Sequence, residues 1–269
     1  MIRIVLAGVT GWVGRALLPA IVASPDLKLV AAVSRKAAGR NAGEAIGIAP
    51  LGVTIAATMA EALGVPSDVV VDYTKPDSVG RNTLEAIAAG RHVVIGASGL
   101  GADDYAAIDK AAREKNVGVL AAGNFSITAT LLKRFALEAA RYVPDVEIID
   151  YASAGKPDAP SGTGRELAEA LSLLRGAATS KPVDQLGGIA GTRGAAVGSG
   201  PNGGVQVHAL RMPSFVVSVE AVFGADNERL VIRHDSGSSA APYVAGTLLA
   251  IRRVAEKPGL RRGLDTLMA

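Results

Sequence analysis

The chain contains no cysteine. That excludes disulfides and thiolate metal sites, and it fits a reducing compartment such as the cytoplasm. Aromatic residues are scarce, at 4% with a single tryptophan, and they do not interleave with basic clusters. A nucleic-acid surface is therefore not expected. Histidine occurs only at His92, His208 and His234, each isolated in a strand-like segment and read as structural. No metal site is expected. No apolar run reaches the length of a membrane span. No charged-then-apolar leader opens the chain, which enters a strand at once. The net charge of +3 is small and dispersed. Arg252-Arg253 and Arg261-Arg262 read as a solvated face rather than a polyanion site.

What is present is aliphatic. Hydrophobic residues make up 49% of 269 positions, enough for one large core or two modest ones. The first fourteen residues organise the rest. Ile2, Ile4, Val5 and Leu6 form a short apolar run that ends at Gly8, as a parallel strand covered on both faces does. Gly8, Gly11 and Gly14 then give the spacing G-x-x-G-x-x-G, followed by a helical apolar pattern through Ala16, Leu17, Leu18 and Ile21. Glycines there allow a tight turn and close approach of the backbone to a pyrophosphate, whose oxygens the first helical N–H groups bind. A flexible loop is the bland reading of the glycines; the strand before and the helix after favour a dinucleotide site. Gly8, Thr10, Gly11, Trp12 and Val13 are the cofactor contacts expected from it. Pro19 is expected to remove one helical bond and bend the helix.

The second strand, Leu27–Val33, ends in Ser34-Arg35-Lys36. An acidic ligand for the ribose hydroxyls of NAD stands about 20 residues past the glycines in such folds. A hydroxyl and two cations suit a 2′-phosphate instead. NADPH is expected, with NADH possible. Residues 37–52 read as loop, Val53–Ala56 as a short strand and Met59–Leu63 as a short helix. Asp68–Thr74, His92–Ile95 and Val117–Leu120 read as further strands, with helices from Lys75 to Gly90 and from about Ala102 to Lys115. The alternation implies a Rossmann-like doubly wound α/β sheet, in which ligands sit beyond the carboxyl ends of the strands. Tyr73 and Thr74, Gly96, Ala97 and Ser98, and Gly123, Asn124 and Phe125 all lie at such ends.

After Ser126 the pattern changes. A helix from Ile127 to about Tyr142 leads to a strand, Val146–Ser153, and a loop, Gly155–Gly164, into a helix Arg165–Leu174. Residues 176–203 read as irregular. Three strands follow, Val205–Arg211, Phe215–Phe223 and Arg229–His234, the last two joined as a hairpin, then a closing helix over about Ala241–Glu256. The expected domains are 1–126 with 239–269 for the dinucleotide, and 127–238, an α+β unit with a mostly antiparallel sheet, for substrate and oligomerisation.

Lys156 to Glu166 carries the remaining chemistry. Thr163-x-x-Glu166 reads as a capping box that starts the helix near Gly164. A capped helix and nothing more is one reading. The other is an anion pocket in which the helix start, the hydroxyls of Ser161 and Thr163, and Lys156 hold a carboxylate, with Lys156 donating a proton.

These segments resemble the dihydrodipicolinate reductase family of bacterial lysine biosynthesis over nearly the whole chain. Gly8–Gly14, Val71–Pro76, Gly96–Gly99 and Gly123–Ser126 are similar to its cofactor turns. Lys156-Pro-Asp-Ala-Pro-Ser-Gly-Thr163 is similar to its substrate motif, and Arg211, Val231–Ser236 and Leu249–Val254 match it as well. The resemblance implies Lys156, Ser161, Gly162, Thr163 and Arg211 as ligands of a small cyclic dicarboxylate. It also implies hydride transfer from NADPH or NADH, and a homotetramer built through the second domain.

The chain departs from the family at one place. A histidine pair precedes the family's lysine, and its first member is taken as proton donor; Ala152 and Ser153 stand there in this chain. A further family histidine is replaced within Val217-Ser-Val-Glu220. Lys156 is the catalytic candidate, with Tyr151 as substitute and Asp158 behind them. His208, three residues from Arg211 on one strand, faces the opposite side of the sheet. Two other readings stay open: a diverged imine reductase or amino-acid dehydrogenase with another substrate, and a non-catalytic NADPH-binding sensor.

Overall fold

The computed structural model describes residues 1–181 and 183–268. The chain divides into two compact units, Met1–Ile127 with Ala240–Ala269, and Thr128–Ser239. Among the described residues no helix is long and apolar enough to cross a membrane.

The first unit is a seven-stranded parallel sheet. In chain order its elements are β1 (Ile2–Ala7), α1 (Trp12–Ala23), β2 (Leu27–Val33), α2 (Ala42–Ile46), β3 (Ile55–Ala56), α3 (Met59–Leu63), β4 (Val69–Asp72), α4 (Pro76–Ala88), β5 (His92–Ile95), α5 (Ala102–Glu114) and β6 (Gly118–Ala121). The chain then runs through α6 (Ile127–Ala139), β7 (Val146–Ala152), α7 (Gly162–Leu174), β8 (Ala195–Val197), β9 (Val205–Arg211), β10 (Val217–Ala225) and β11 (Glu228–Ser236). It returns to the first unit as α8 (Ala241–Arg253) and β12 (Gly259–Arg262).

The sheet order β12-β6-β5-β4-β1-β2-β3 reverses direction between β1 and β4. Alternate side chains of each strand serve two cores, as the pleat requires. Ile4 and Leu6 join Val69 and Val71 beneath α1 and α8, while Val5, Ala7 and Val70 face α3, α4 and α5. Burial on both sides is why these strands read as continuous apolar runs.

The local differences from sequence expectation have physical causes. Residues 37–52 are not all loop: the Asn41 side chain accepts from Gly43 and Glu44 N–H, and Gly47 ends α2 at φ 88°. α1 continues through Pro19. β12 is a seventh strand, pairing with β6 at the sheet edge after the last helix. Gly118 of β6 has no room for a Cβ, which would fall 1.9 Å from the Val254 carbonyl oxygen.

The second unit carries a five-stranded sheet in the order β11-β10-β7-β9-β8. β7 and β9 run parallel and the other pairs antiparallel. β8 and two short 3-10 turns, Val183–Gln185 and Ala190–Arg193, lie in the stretch read as irregular. One face packs Val146, Ile148, Val207, Val219 and Phe223 against Leu132 and Ala136 of α6 and Leu167 and Leu171 of α7.

Candidate active site

The candidate nucleotide site lies in the first unit, at the carboxyl ends of β1, β2 and β4. Gly8 adopts φ +81°, and a Cβ on it would meet the Tyr73 carbonyl oxygen at 2.5 Å. A Cβ on Gly14 would fall 2.3 Å from the Gly8 carbonyl oxygen. Both glycines are required by backbone contact. Gly11 is the N-cap of α1, which has no side-chain cap and no acidic residue in its first turn. By contrast Asn41, Thr58 and Ser161 cap α2, α3 and α7. The α1 end thus keeps open N–H donors and the positive end of its dipole, as a pyrophosphate requires.

Beside it lies a cavity of about 460 Å³. Gly8, Thr10 and Gly11 line it, together with Ser34, Arg35 and Lys36 after β2 and Tyr73 and Thr74 after β4. The Thr10 and Ser34 hydroxyls are 2.8 Å apart. Lys75, in the turn after β4, lines it as well, and Thr58, Met59, Ser78, Arg81 and Asn82, which were not expected from sequence, form much of the remaining wall. Their signal was readable: Lys75, Ser78 and Arg81 or Asn82 repeat at helical spacing from the end of a strand. Asp72 holds the turn. Buried at the end of β4, it accepts from Thr74 N–H at 2.7 Å, the Thr74 hydroxyl at 2.6 Å and Asn82 Nδ2 at 2.9 Å. Burial raises its pKa, and these donors oppose the shift.

The other expected cofactor residues fall elsewhere on the same rim. Gly96, Ala97 and Ser98 follow β5. A Cβ on Gly96 would meet the Tyr73 ring at 2.1 Å. Trp12 and Val13 form the first turn of α1, where the half-exposed Trp12 ring lies edge-on to Tyr243 of α8, 5.5 Å between centroids. Gly123, Asn124 and Phe125 follow β6, and Asn124 Oδ1 accepts from Ser126 N–H at 2.8 Å. Phe125 is corrected in one respect: its ring is buried edge-on to Tyr73, leaving its backbone as the part able to face a ligand. The Tyr73 hydroxyl is 2.6 Å from Thr247 Oγ1, and burial raises its pKa.

In the second unit the candidate substrate residues lie on the loop between β7 and α7. Lys156 Nζ lies 2.6 Å from Asp158 Oδ1. That ammonium group holds the Asp158 carboxyl below its ordinary pKa. The helix start differs from expectation. Ser161, not Thr163, is the cap, its hydroxyl accepting from Gly164 N–H at 3.1 Å, so α7 begins at Gly162. Glu166 does not close a capping box; it pairs with Lys133 Nζ at 3.0 Å. Ser161 also donates its hydroxyl to Asp150 and is 1% exposed, so that hydroxyl does not face a ligand. α7 opens with Gly162, which is exposed, and Thr163, which is half-buried.

Two further expectations change. Arg211 turns inward: Nη2 donates to Asp150 Oδ2 at 2.8 Å and to the Asp158 carbonyl at 2.7 Å, Nη1 to the carbonyls of Leu210 and Asp150, and Nε to Asp158 again. Its side chain is 16% exposed. Tyr151 points to the opposite sheet face from Asp150 and Ala152, as strand alternation demands. There its hydroxyl donates to Glu220 at 3.3 Å, and its ring lies between Phe215 and Arg233. That removes Tyr151 as a substitute acid. Ala152 is fully buried and Ser153 exposed.

His92 and His208 bond within the fold. Nδ1 of His92 accepts from Gly118 N–H at 2.9 Å, and His208 Nε2 lies 2.7 Å from Glu147 on the face away from Arg211. Burial lowers the pKa of His92 and His234.

Residues 2–125 match the family model for the dihydrodipicolinate reductase N-terminus, and residues 128–268 that for its C-terminus. A 4-hydroxy-tetrahydrodipicolinate reductase of Syntrophomonas wolfei is 37% identical over 99% of this chain and 98% of its own length. The enzyme of the same name from Synechococcus elongatus is 36% identical, covering 99% of this chain and 98% of its own. Among solved structures, a dipicolinate-bound dihydrodipicolinate reductase from Paenisporosarcina sp. TG-14 superposes with a TM-score of 0.83, at 27% identity and 99% coverage of both chains. Both halves of the sequence and the whole fold thus agree, and the chain belongs to the dihydrodipicolinate reductase family of NAD(P)H-dependent reductases.

Proposed function

We propose that the protein uses NADPH to reduce a C=N or conjugated bond in a small cyclic dicarboxylate, 4-hydroxy-tetrahydrodipicolinate or a close analogue, in lysine biosynthesis. The first unit holds the nucleotide and the second the substrate. The observation that carries this reading is the Lys156 ammonium group on the loop that delivers the start of α7. A cation near a helix N-terminus suits a carboxylate. The relative from Paenisporosarcina binds dipicolinate, a planar ring with two carboxylates. When bound, the nucleotide supplies a hydride to the unsaturated carbon; the bond's electron pair moves to the neighbouring atom, which takes up a proton. Lys156 orients the carboxylate and holds that proton at Nζ. A cofactor-oxidation assay with cyclic imino dicarboxylates tests the reading, and no turnover of any of them would overturn it.

The preference for NADPH rests on the nucleotide cavity. Arg35, Lys36, Lys75 and Arg81 line it, and no carboxylate does so among the described residues. Asp77 approaches Arg35 only to 4.0 Å, between two exposed side chains. A 2′-phosphate meets several cations here and no repelling charge. NADPH is expected to bind more tightly than NADH in direct titration. Arg35→Ala removes a charge-assisted contact of about 1.5–3 kcal/mol, so it should narrow the ratio by roughly tenfold to a hundredfold. Equal affinities in the wild type would refute the assignment.

The second unit's sheet supports a homo-oligomer, a tetramer as the family resemblance implies. α6 and α7 cover the same sheet face. The other face carries half-buried Ile149, Leu210 and Val222 and exposed Val231. It is less apolar than the strand sequences implied, because Glu147 with Arg193 and His208, and Glu220 with Arg233, sit among them. Paired charges beside apolar groups suit a specific self-contact. Light scattering at micromolar concentration is expected to show a tetramer; a monomer would remove this claim.

A further inference from the structure

Asp150 lies in β7 with no exposed surface, its carboxylate on the helix-covered face of the sheet. It accepts from Ser161 N–H at 2.8 Å, from the Ser161 hydroxyl, and from Arg211 Nη2 at 2.8 Å. α7 packs flush on it: a Cβ on Gly164 would lie 3.0 Å from Asp150 Oδ1. Arg211, at the end of the neighbouring strand β9, grips the Asp158 carbonyl with two of its nitrogens. One buried ion pair therefore tethers the substrate loop at two points, Asp158 and Ser161. Lys156 reaches Asp158 from within the same loop. A buried ion pair is often no more stabilising than an apolar pair of the same volume. Its distinct contribution is direction, since each bond fixes a named atom of the loop.

We propose that Asp150 and Arg211 are positioning residues, which set the geometry of the Lys156–Thr163 loop and hence its affinity for a carboxylate without touching the ligand. This rests on the reading that the loop holds a substrate carboxylate. It gives Arg211 a role different from the direct ligand that the family resemblance implies. It also predicts that Asp150, remote from solvent, matters as much to substrate binding as Arg211 does.

The test uses the full-length protein and the variants Asp150→Asn, Arg211→Gln and their combination. Dipicolinate binding is measured by calorimetry, NADPH binding by quenching of the Trp12 fluorescence, and loop order by hydrogen exchange of the peptide spanning 153–165. A charge-assisted contact that the loosened loop can no longer make is worth roughly tenfold to a hundredfold in affinity. Each single variant is expected to weaken dipicolinate by roughly tenfold to a hundredfold and to speed exchange in that peptide, leaving NADPH affinity unchanged. The double variant should be no worse than the weaker single one, because the two act through one contact. Asp150→Asn binding dipicolinate like wild type while Arg211→Gln does not would overturn the proposal, and would make Arg211 a direct ligand. Unchanged exchange in both variants would overturn it as well. If wild type binds no dipicolinate, the carboxylate reading fails, and the exchange data still decide whether the pair holds the loop. Should Arg211→Gln fail to fold, Arg211→Lys keeps the charge but loses the fork, and the same loosening is expected.

Discussion

Replacing Lys156 with alanine is expected to lower turnover by roughly 10²–10⁴-fold, the range for loss of a positioned acid, and to abolish detectable binding of dipicolinate. Two features make this the most damaging single change in the second unit. Lys156 is the one cation of the Lys156–Thr163 loop. It is also the acidic group left for proton transfer, because Ala152 is buried without a functional group and the Tyr151 hydroxyl lies on the other sheet face with Glu220. The wild type is itself expected to turn over 4-hydroxy-tetrahydrodipicolinate slowly. Ala152→His should not restore the rate: the site is fully buried, and overfilling such a position costs about 1–3 kcal/mol. Steady-state kinetics and calorimetry on wild type and Lys156→Ala check the first claim. Ordinary turnover by the alanine variant would show that the proton comes from elsewhere.

Gly14→Ala is expected to weaken nucleotide binding by roughly a hundredfold. The added Cβ would sit 2.3 Å from the Gly8 carbonyl oxygen and 2.7 Å from that of Val9, both backbone atoms. Side chains cannot rotate to relieve this, so α1 has to move off β1. The shift displaces the open N–H groups of its first turn, where about 1 Å matters up to a hundredfold. The same overpacking should lower stability by about 1–3 kcal/mol. Trp12, the sole tryptophan, stands two residues away and reports nucleotide binding by fluorescence. Gly52→Ala is the control, since nothing lies within 4 Å of a Cβ built there. An unaltered affinity in Gly14→Ala would mean that α1 does not present the phosphate site.

How far the sequence could be read depended on the range of the interaction. The doubly wound sheet was legible because its signals are local. The burial of β1 and β4 on both faces writes a continuous apolar run, and Gly11 and Gly14 record contacts with the Gly8 carbonyl oxygen a few residues back. Ser34-Arg35-Lys36 is a short segment at a strand end, and it lines the same cavity as Gly8 and Gly11. The pleat of a single strand separates His208 from Arg211, three residues on, and the structure places them on opposite faces.

Where the partner is distant in sequence, only the tertiary structure decided. Arg211 reads as an outward cation until Asp150, 61 residues away, is found beneath it. Thr163 and Glu166 have the spacing of a capping box, but Ser161 is better placed over the helix N–H groups and Lys133 takes up the glutamate. Arg81 joins Arg35 and Lys75 in one cavity because β4 lies beside β1, which carries α4 there. Residue type and local period determined which elements form, since those preferences act over a few residues. Which polar groups face a ligand was decided by packing, because a buried charge takes whatever partner the fold brings within reach.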